Sequence, residues 1–386
     1  MKEFLNKRFI EIFTSTPSSF LSCGGRFEVL GNHTDHNHGL CIAATCSLSI
    51  YGAIKRREDY KVNLYSEGYG MISLDLSNLK KVNKEKGTPL ALIRGVAAYL
   101  SNGYKYGGFD AYFKSEVPSG AGVSSSAAFE LLIAQTYNEL FNEKKVPLMT
   151  LCKAGQYAER EYYGKMCGLL DQIGVAYGGL VYIDFKDIEN PYVEPLRIDL
   201  KGYQFVIVNS GGSHAGLDHL YKAIPSDMKK IANYFNKDFL REVDYQLIKD
   251  NKDVLIKEFG LIPYQRAMHF FEENERVVKA NNAVKNKDVN AIINLINNSR
   301  ISSTNLLRNM FYKEVKGSPL EACELILKAS HNKAGVKING GGFAGSVIAL
   351  VPNDELDNVI NAAKKQYGEN NVHLVSVRNE TPSSLD

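Results

Sequence analysis

The chain has 386 residues, 44% of them hydrophobic and 23% charged, with a formal net charge of +3. That length predicts two domains, and the composition is that of an ordinary soluble globular protein. Charges of both signs are spread along the chain without a basic stripe, which excludes a phosphate-backbone binder and hence nucleic acid as a partner. Six cysteines (Cys23, Cys41, Cys46, Cys152, Cys167, Cys323) form no C-x-x-C pair and no finger-like spacing with histidine. They read as reduced thiols of a cytoplasmic protein.

In chain order, residues 1–13 set Phe4, Leu5, Phe9, Ile10, Ile12 and Phe13 among charges. This is an amphipathic helix pattern and not a signal peptide, because it lacks an uninterrupted apolar core and a small-residue cleavage site. Residues 40–54 are apolar but short and interrupted by Thr45, Ser47 and Ser49, a buried strand and not a membrane span. Val62, Leu64 and Tyr65 predict a short strand; Phe109, Ala111, Phe113, Ser115 and Val117 form one face of another. Helices are expected over 125–142 and 148–163, and strands over 178–185 and 203–209. A polar stretch holding Pro191 and Pro195 divides the chain into parts 1–198 and 199–386. The second part is richer in helix, at 262–285 and 288–309, and ends with strands at 334–338 and 346–351 flanking a glycine triplet. Mixed order in both parts predicts two α+β domains, not a doubly wound parallel sheet.

Between the strand at 109 and the helix at 125 lies Pro118-Ser119-Gly120-Ala121-Gly122-Val123-Ser124-Ser125-Ser126-Ala127-Ala128. Glycines let backbone amides approach an anion closely, and a helix N-terminus adds unpaired N–H groups and a positive dipole end. Three serines exceed what capping requires. Residues 120–126 therefore read as a phosphate loop, but not a Walker loop, because no Lys-Ser/Thr follows the glycines.

Two further stretches carry a family likeness. Gly24-Gly25-Arg26-Phe27-Glu28-Val29-Leu30-Gly31-Asn32-His33-Thr34-Asp35-His36-Asn37 closely resembles the galactokinase signature, in which Gly-Glu-His-Thr-Asp-Tyr is usual. Cys167-Gly168-Leu169-Leu170-Asp171-Gln172 resembles the C-G-I-M-D-Q segment of the same enzymes. The helix pattern from Arg266 through His269, Glu273 and Asn274 to Arg276, and the triplet Gly340-Gly341-Gly342, match in the expected order. The chain thus resembles the sugar-kinase branch of the superfamily that also holds homoserine, mevalonate and phosphomevalonate kinases.

The resemblance implies an α+β two-domain small-molecule kinase with its active site between the domains. It implies transfer of phosphate from ATP to the anomeric hydroxyl of galactose, with Mg²⁺. Asp171 would be the catalytic base and Arg26 the transition-state stabiliser. Gly120, Ala121, Gly122, Val123, Ser124, Ser125 and Ser126 would wrap the triphosphate, and Ser126 and Glu159 would hold Mg²⁺. Asn32, His33, Thr34, Asp35 and Tyr221 would contact the sugar. The expected partners are a small sugar and ATP, with no membrane, for a monomer or weak oligomer.

Asn32 stands where the family carries Glu, and an amide offers both donors and an acceptor where a carboxylate only accepts. The change would also remove repulsion against a sugar acid such as galacturonate, and protonated His36 and His38 would add positive potential. A 1-kinase for a related sugar, or a catalytically silent sugar and ATP sensor, are the alternatives.

Overall fold

The computed structural model describes residues 1–118, 122–212, 216–315 and 317–385. In chain order the first half runs α1 (Lys2–Phe13), β1 (Ser19–Leu30), β2 (Leu40–Arg56), β3 (Lys61–Ser66), β4 (Gly70–Asp75), α2 (Pro89–Leu100), β5 (Phe109–Ser115), α3 (Ser125–Phe141), α4 (Leu148–Tyr157), α5 (Leu170–Ala176), β6 (Leu180–Asp184) and β7 (Tyr192–Leu196). The second half runs β8 (Tyr203–Asn209), α6 (Asp218–Tyr234), α7 (Tyr245–Asp250), α8 (Lys252–Phe259), α9 (Leu261–Lys285), α10 (Val289–Ser302), α11 (Pro319–Ala329), β9 (Gly335–Ile338), β10 (Ser346–Pro352), α12 (Leu356–Tyr367), β11 (Val372–Val375) and β12 (Ser383–Ser384).

The long strand β2 organises the first sheet. Its C-terminal half pairs with β5 and its N-terminal half with β6, while β1 runs antiparallel along its other edge. The sheet order is β12-β1-β2-β5-β3-β4, with β6 and β7 continuing from β2, and only β3 and β5 are parallel. The second sheet, β11-β8-β10-β9, is antiparallel throughout. Fold and class are therefore α+β, with helices packed on both sheets.

The chain passes from one sheet to the other between β7 and β8, but β12 returns to pair with β1. The two sheets also share apolar packing: the rings of Phe27 in β1 and Phe205 in β8 lie 4.6 Å apart. Burying such a ring contributes about 1.5–3 kcal/mol. The stretch around Pro191 and Pro195, read from sequence as the place where the chain divides, holds the edge strand β7, paired among the described residues with β6 alone and followed by the passage to the second sheet. Proline is tolerated there because one side of an edge strand has no ladder bond to lose. No helix among the described residues is long and apolar enough to cross a membrane.

Two expected helices change pitch before they end. The helix over 148–163 is α-helical to Tyr157 and then a π-helix over Ala158–Tyr163; α10 passes into a π-helix at Ser303–Leu307. Such π-segments collect at functional sites, and the first carries Glu159. It is held in place by α2, where a β-carbon on Gly95 would lie 2.7 Å from Ala158 Cα. Ala158 cannot yield without moving its backbone, so Gly95→Ala should cost about 1–3 kcal/mol by overpacking, read as a lower urea midpoint.

Candidate active site

Gly24 and Gly25 set up the first functional side chain. A β-carbon at Gly24 would strike the Cys46 carbonyl, and one at Gly25 would lie 2.5 Å from the Val123 carbonyl. A bulge between Gly24 and Arg26 turns β1 at this point, and the Arg26 amide donates to Val123 O at 2.9 Å. The strand is thereby docked on the loop ahead of α3. The Arg26 guanidinium donates from Nε to Asp171 Oδ1 at 2.8 Å and from Nη1 to the Gly122 carbonyl at 2.7 Å. Its Nη2 lies 2.7 Å from the same Asp171 oxygen.

Ser124 completes this centre by donating from Oγ to Asp171 Oδ2 at 2.6 Å. It precedes α3 with a left-handed backbone, φ 54°, and its side chain makes no cap bond, so the hydroxyl is free to serve Asp171. Burial pushes the Asp171 carboxyl up, but the Arg26 charge and the Ser124 hydrogen bond outweigh it and hold the group below its ordinary value. The result is an ionised, half-buried acceptor. Val123 is buried behind it and Ser125 opens α3. Gly120 and Ala121 lie outside the described residues.

On the other side of the α3 N-terminus, Ser126 Oγ donates to Glu159 Oε1 at 3.1 Å. Glu159 is buried and its charge is matched by Lys165 Nζ at 2.8 Å. Gln172, next to Asp171, donates to Glu130 Oε2 at 2.9 Å and to Glu159 Oε2 at 3.3 Å. Burial and then the neighbouring Glu159 push the Glu130 carboxyl well up. Two predicted metal ligands thus meet, with a lysine and a second carboxyl that the motifs did not reveal.

The signature turn between β1 and β2 is held from outside by α9. Glu273 Oε1 accepts from the amides of Gly31 at 3.0 Å and Asn32 at 3.3 Å, and from Ser299 Oγ at 2.6 Å. His269 Nε2 donates to the Asn32 carbonyl at 2.9 Å, and Asn274 Oδ1 accepts from the Leu40 amide at 2.7 Å. The helix pattern that matched the family without evident chemistry is therefore a clamp on the turn. Burial would raise the Glu273 carboxyl, but Arg276 and His269 together with the Ser299 hydroxyl bring it down to about 2.

Within the turn the predicted sugar contacts fall into three kinds. Thr34 is fully buried, with Oγ1 2.7 Å from the Leu40 carbonyl and 2.9 Å from that of Gly31; it closes the turn instead of facing a ligand. Asn32, His33 and Tyr221 converge on the glycine triplet. Asn32 Nδ2 donates to Gly340 O, His33 Nε2 to Gly341 O and Tyr221 Oη to Gly342 O, each at 2.8 Å. A β-carbon at Gly341 would lie 2.7 Å from the Tyr221 ring, which is why the triplet admits no side chain there.

Asp35 is the third kind. Its carboxylate packs against Gly168, where a β-carbon would displace it, three residues before Asp171. Burial, with repulsion from Glu28 and Asp171 outweighing local amide bonds, raises it to about 6. His36 is driven well below its ordinary value by burial and by His33 and His269, and His38, stacked on Phe239 at 3.7 Å, is lowered by burial. Neither imidazole supplies the positive potential expected of it. Asn339, also missed by sequence reasoning, joins the parts: Oδ1 accepts from the Glu28 amide at 3.1 Å and Nδ2 donates to Gly122 O at 3.0 Å.

Residues 91–179 match the family model of the GHMP kinases N terminal domain, and residues 7–56 that of the galactokinase galactose-binding signature. Galactokinase of Enterococcus faecalis is 30% identical over 376 residues, 95% of this chain and 94% of its own. That of Clostridium acetobutylicum is 28% identical over 380 residues, 95% and 93%. The structure of Lactococcus lactis galactokinase complexed with galactose is similar at a TM-score of 0.85 and 26% identity, covering 100% of both chains. Methanococcus jannaschii mevalonate kinase shares the fold, with a TM-score of 0.65 at 16% identity over 94% and 98%.

The clamp makes a pH-dependent contribution with a definite sign. A carboxyl whose folded value is depressed stabilises the protein above its unfolded value, near 4.5, and loses that contribution as pH falls toward about 2. Glu273→Gln should lower stability at neutral pH by about 1–3 kcal/mol. It should also flatten the loss of stability between about pH 4.5 and pH 2, measured by denaturant unfolding across that range.

Proposed function

Because the chain belongs to the galactokinase family, a family of sugar kinases, we propose that it transfers the γ-phosphoryl group of ATP to the anomeric hydroxyl of galactose, giving galactose 1-phosphate. The observation that carries this reading is the half-buried Asp171 carboxylate, ionised by Arg26 and Ser124 beside the N-terminus of α3. Asp171 takes the proton of the anomeric hydroxyl as its oxygen bonds to the γ-phosphorus and the bond to the bridging oxygen of ADP breaks. Arg26 stabilises charge gathering on the transferred group, the main work of a phosphoryl-transfer site. Residues 122–126 take the phosphates, with Gly120 and Ala121 completing the loop.

Asp35, His33 and Tyr221 line the sugar side, with Asp35 the principal hydroxyl acceptor; Asn32 and Thr34 shape the wall behind them. Ser126 and Glu159 are hard oxygen donors within 3.1 Å of each other, a set that fits Mg²⁺ arriving with ATP, since that ion keeps phosphate and water oxygens as most of its ligands. No group of three or more metal-binding side chains occurs among the described residues, in keeping with a shared site and not a protein cage. When bound, the ion would neutralise charge on the phosphate oxygens. Six free cysteines, five of them buried, support a reducing, cytoplasmic setting, and a monomer or weak oligomer is the state we propose.

The neutral His36 and His38 weigh against a uronic acid as substrate, and the assembled Arg26, Ser124 and Asp171 weigh against a silent sensor. ADP release with MgATP and a panel of galactose, galacturonate, galactosamine and arabinose tests the reading. Galactose should turn over fastest, and Asp171→Asn should lower its kcat by about 10²–10⁴-fold while leaving sugar binding by calorimetry nearly unchanged. ATP binding without turnover of any sugar would refute it.

A further inference from the structure

Four buried polar side chains run behind the sugar wall, from the second sheet to the signature turn. Lys337 of β9 is fully buried, and its Nζ donates to Glu28 Oε1 at 2.7 Å and to the Ile338 carbonyl at 2.8 Å. Glu28 in turn accepts from Asn32 Nδ2 at 3.2 Å. The same amide nitrogen donates to Gly340 O at 2.8 Å, and Asn32 Oδ1 accepts from Asn309 Nδ2 at 2.8 Å. Asn309, 0% exposed, also donates to Gly341 O at 3.1 Å, and its carbonyl receives the Phe343 amide at 2.5 Å.

Asn32 is 1% exposed. A primary amide has two N–H donors and one carbonyl, and here both protons and the oxygen have protein partners. The side chain that sequence comparison places against the sugar is thus spent on Glu28, Gly340 and Asn309.

We propose that Asn32 is a positioning residue, one link of a Lys337–Glu28–Asn32–Asn309 relay that presents Gly340–Gly342 to the cleft, and that it does not touch the sugar. This deepens the sugar-kinase reading and rests on it. The relay needs an amide at position 32. Only a donor there can hold the Gly340 carbonyl, and the single charge of Lys337 already has its carboxylate in Glu28. A second carboxylate beside Glu28 would be an unpaired charge in a dry site, a strongly destabilising arrangement.

Asn32→Asp discriminates between the two roles. As a direct ligand, aspartate would accept a sugar hydroxyl at least as well as the amide, so KM for galactose would stay level or fall. In the relay it sets two carboxylates together, so KM rises on the order of tenfold near pH 8. The excess over the wild-type KM at the same pH shrinks as the pH is lowered toward about 6, where the pair shares a proton and regains a donor; comparison with wild type removes the titration of Asp35 itself. The charged and titratable groups facing this pair are Lys337 from β9, Glu273 and His269 from α9, and Asp35 and His33 from the signature turn. Adding Glu28→Gln to Asn32→Asp exchanges carboxylate and amide between the two positions and should bring KM back to within about threefold of wild type.

Thermal midpoints of the three proteins, free of substrate, should follow the same order and the same pH trend, and they read the relay even if Asn32→Asp folds poorly. An Asn32→Asp enzyme with wild-type KM at all pH values, or a double variant no better than the single one in KM and midpoint, overturns the relay. Failure of the wild type to phosphorylate any sugar would instead strike the sugar-kinase reading, while the midpoints still decide on the relay.

Discussion

The ion pair between Arg26 and Asp171 is the constraint around which the site is arranged. It joins β1 to α5 across 145 residues of chain, and the same guanidinium reaches the carbonyl of Gly122 in the phosphate loop. Partial desolvation alone would push the Asp171 carboxyl toward its neutral form, in which it cannot accept a proton. Arg26 and Ser124 reverse that tendency. Every close approach nearby serves this end: Gly25 lets β1 dock on Val123 O, and Gly174 brings α5 within contact distance of the Arg26 side chain.

A second constraint closes the site from the other sheet. The three carbonyls of Gly340–Gly342 each accept a side-chain donor, from Asn32, from His33 and Asn309, and from Tyr221. Since the triplet follows β9 while Asn32 and His33 come from the signature turn, these two donors join the halves by directed hydrogen bonds, as Phe27 and Phe205 do by packing. The turn itself is stiffened from behind by Glu273 and His269. The surface formed by the turn and the triplet is consequently preorganised, which would reduce the cost of ordering on binding the proposed sugar.

What could be read from sequence was local or motif-bound. The apolar alternation at 109–117 and the long apolar run at 40–54 marked β5 and β2, because side-chain period alone reports a strand face. Arg26, Asp171, Ser126 and Glu159 were legible because each sits inside a short motif, and the structure brings them together. The clamp and the relay were not. Glu273 lies 242 residues from the amide of Gly31 that it holds, and Asn309 lies 277 residues from Asn32. No local pattern encodes such a pairing. The same limit explains Thr34, whose motif suggested a ligand contact while its hydroxyl closes its own turn.

The account comes down to one chemical event, phosphate arriving on the anomeric oxygen of galactose. Phosphorus and carbon NMR of the product made from MgATP and galactose labelled with ¹³C at its first carbon tests this most directly. The account predicts a phosphate ester whose phosphorus couples to the labelled carbon. A phosphorus uncoupled from that carbon, with the ester on another hydroxyl, would contradict it.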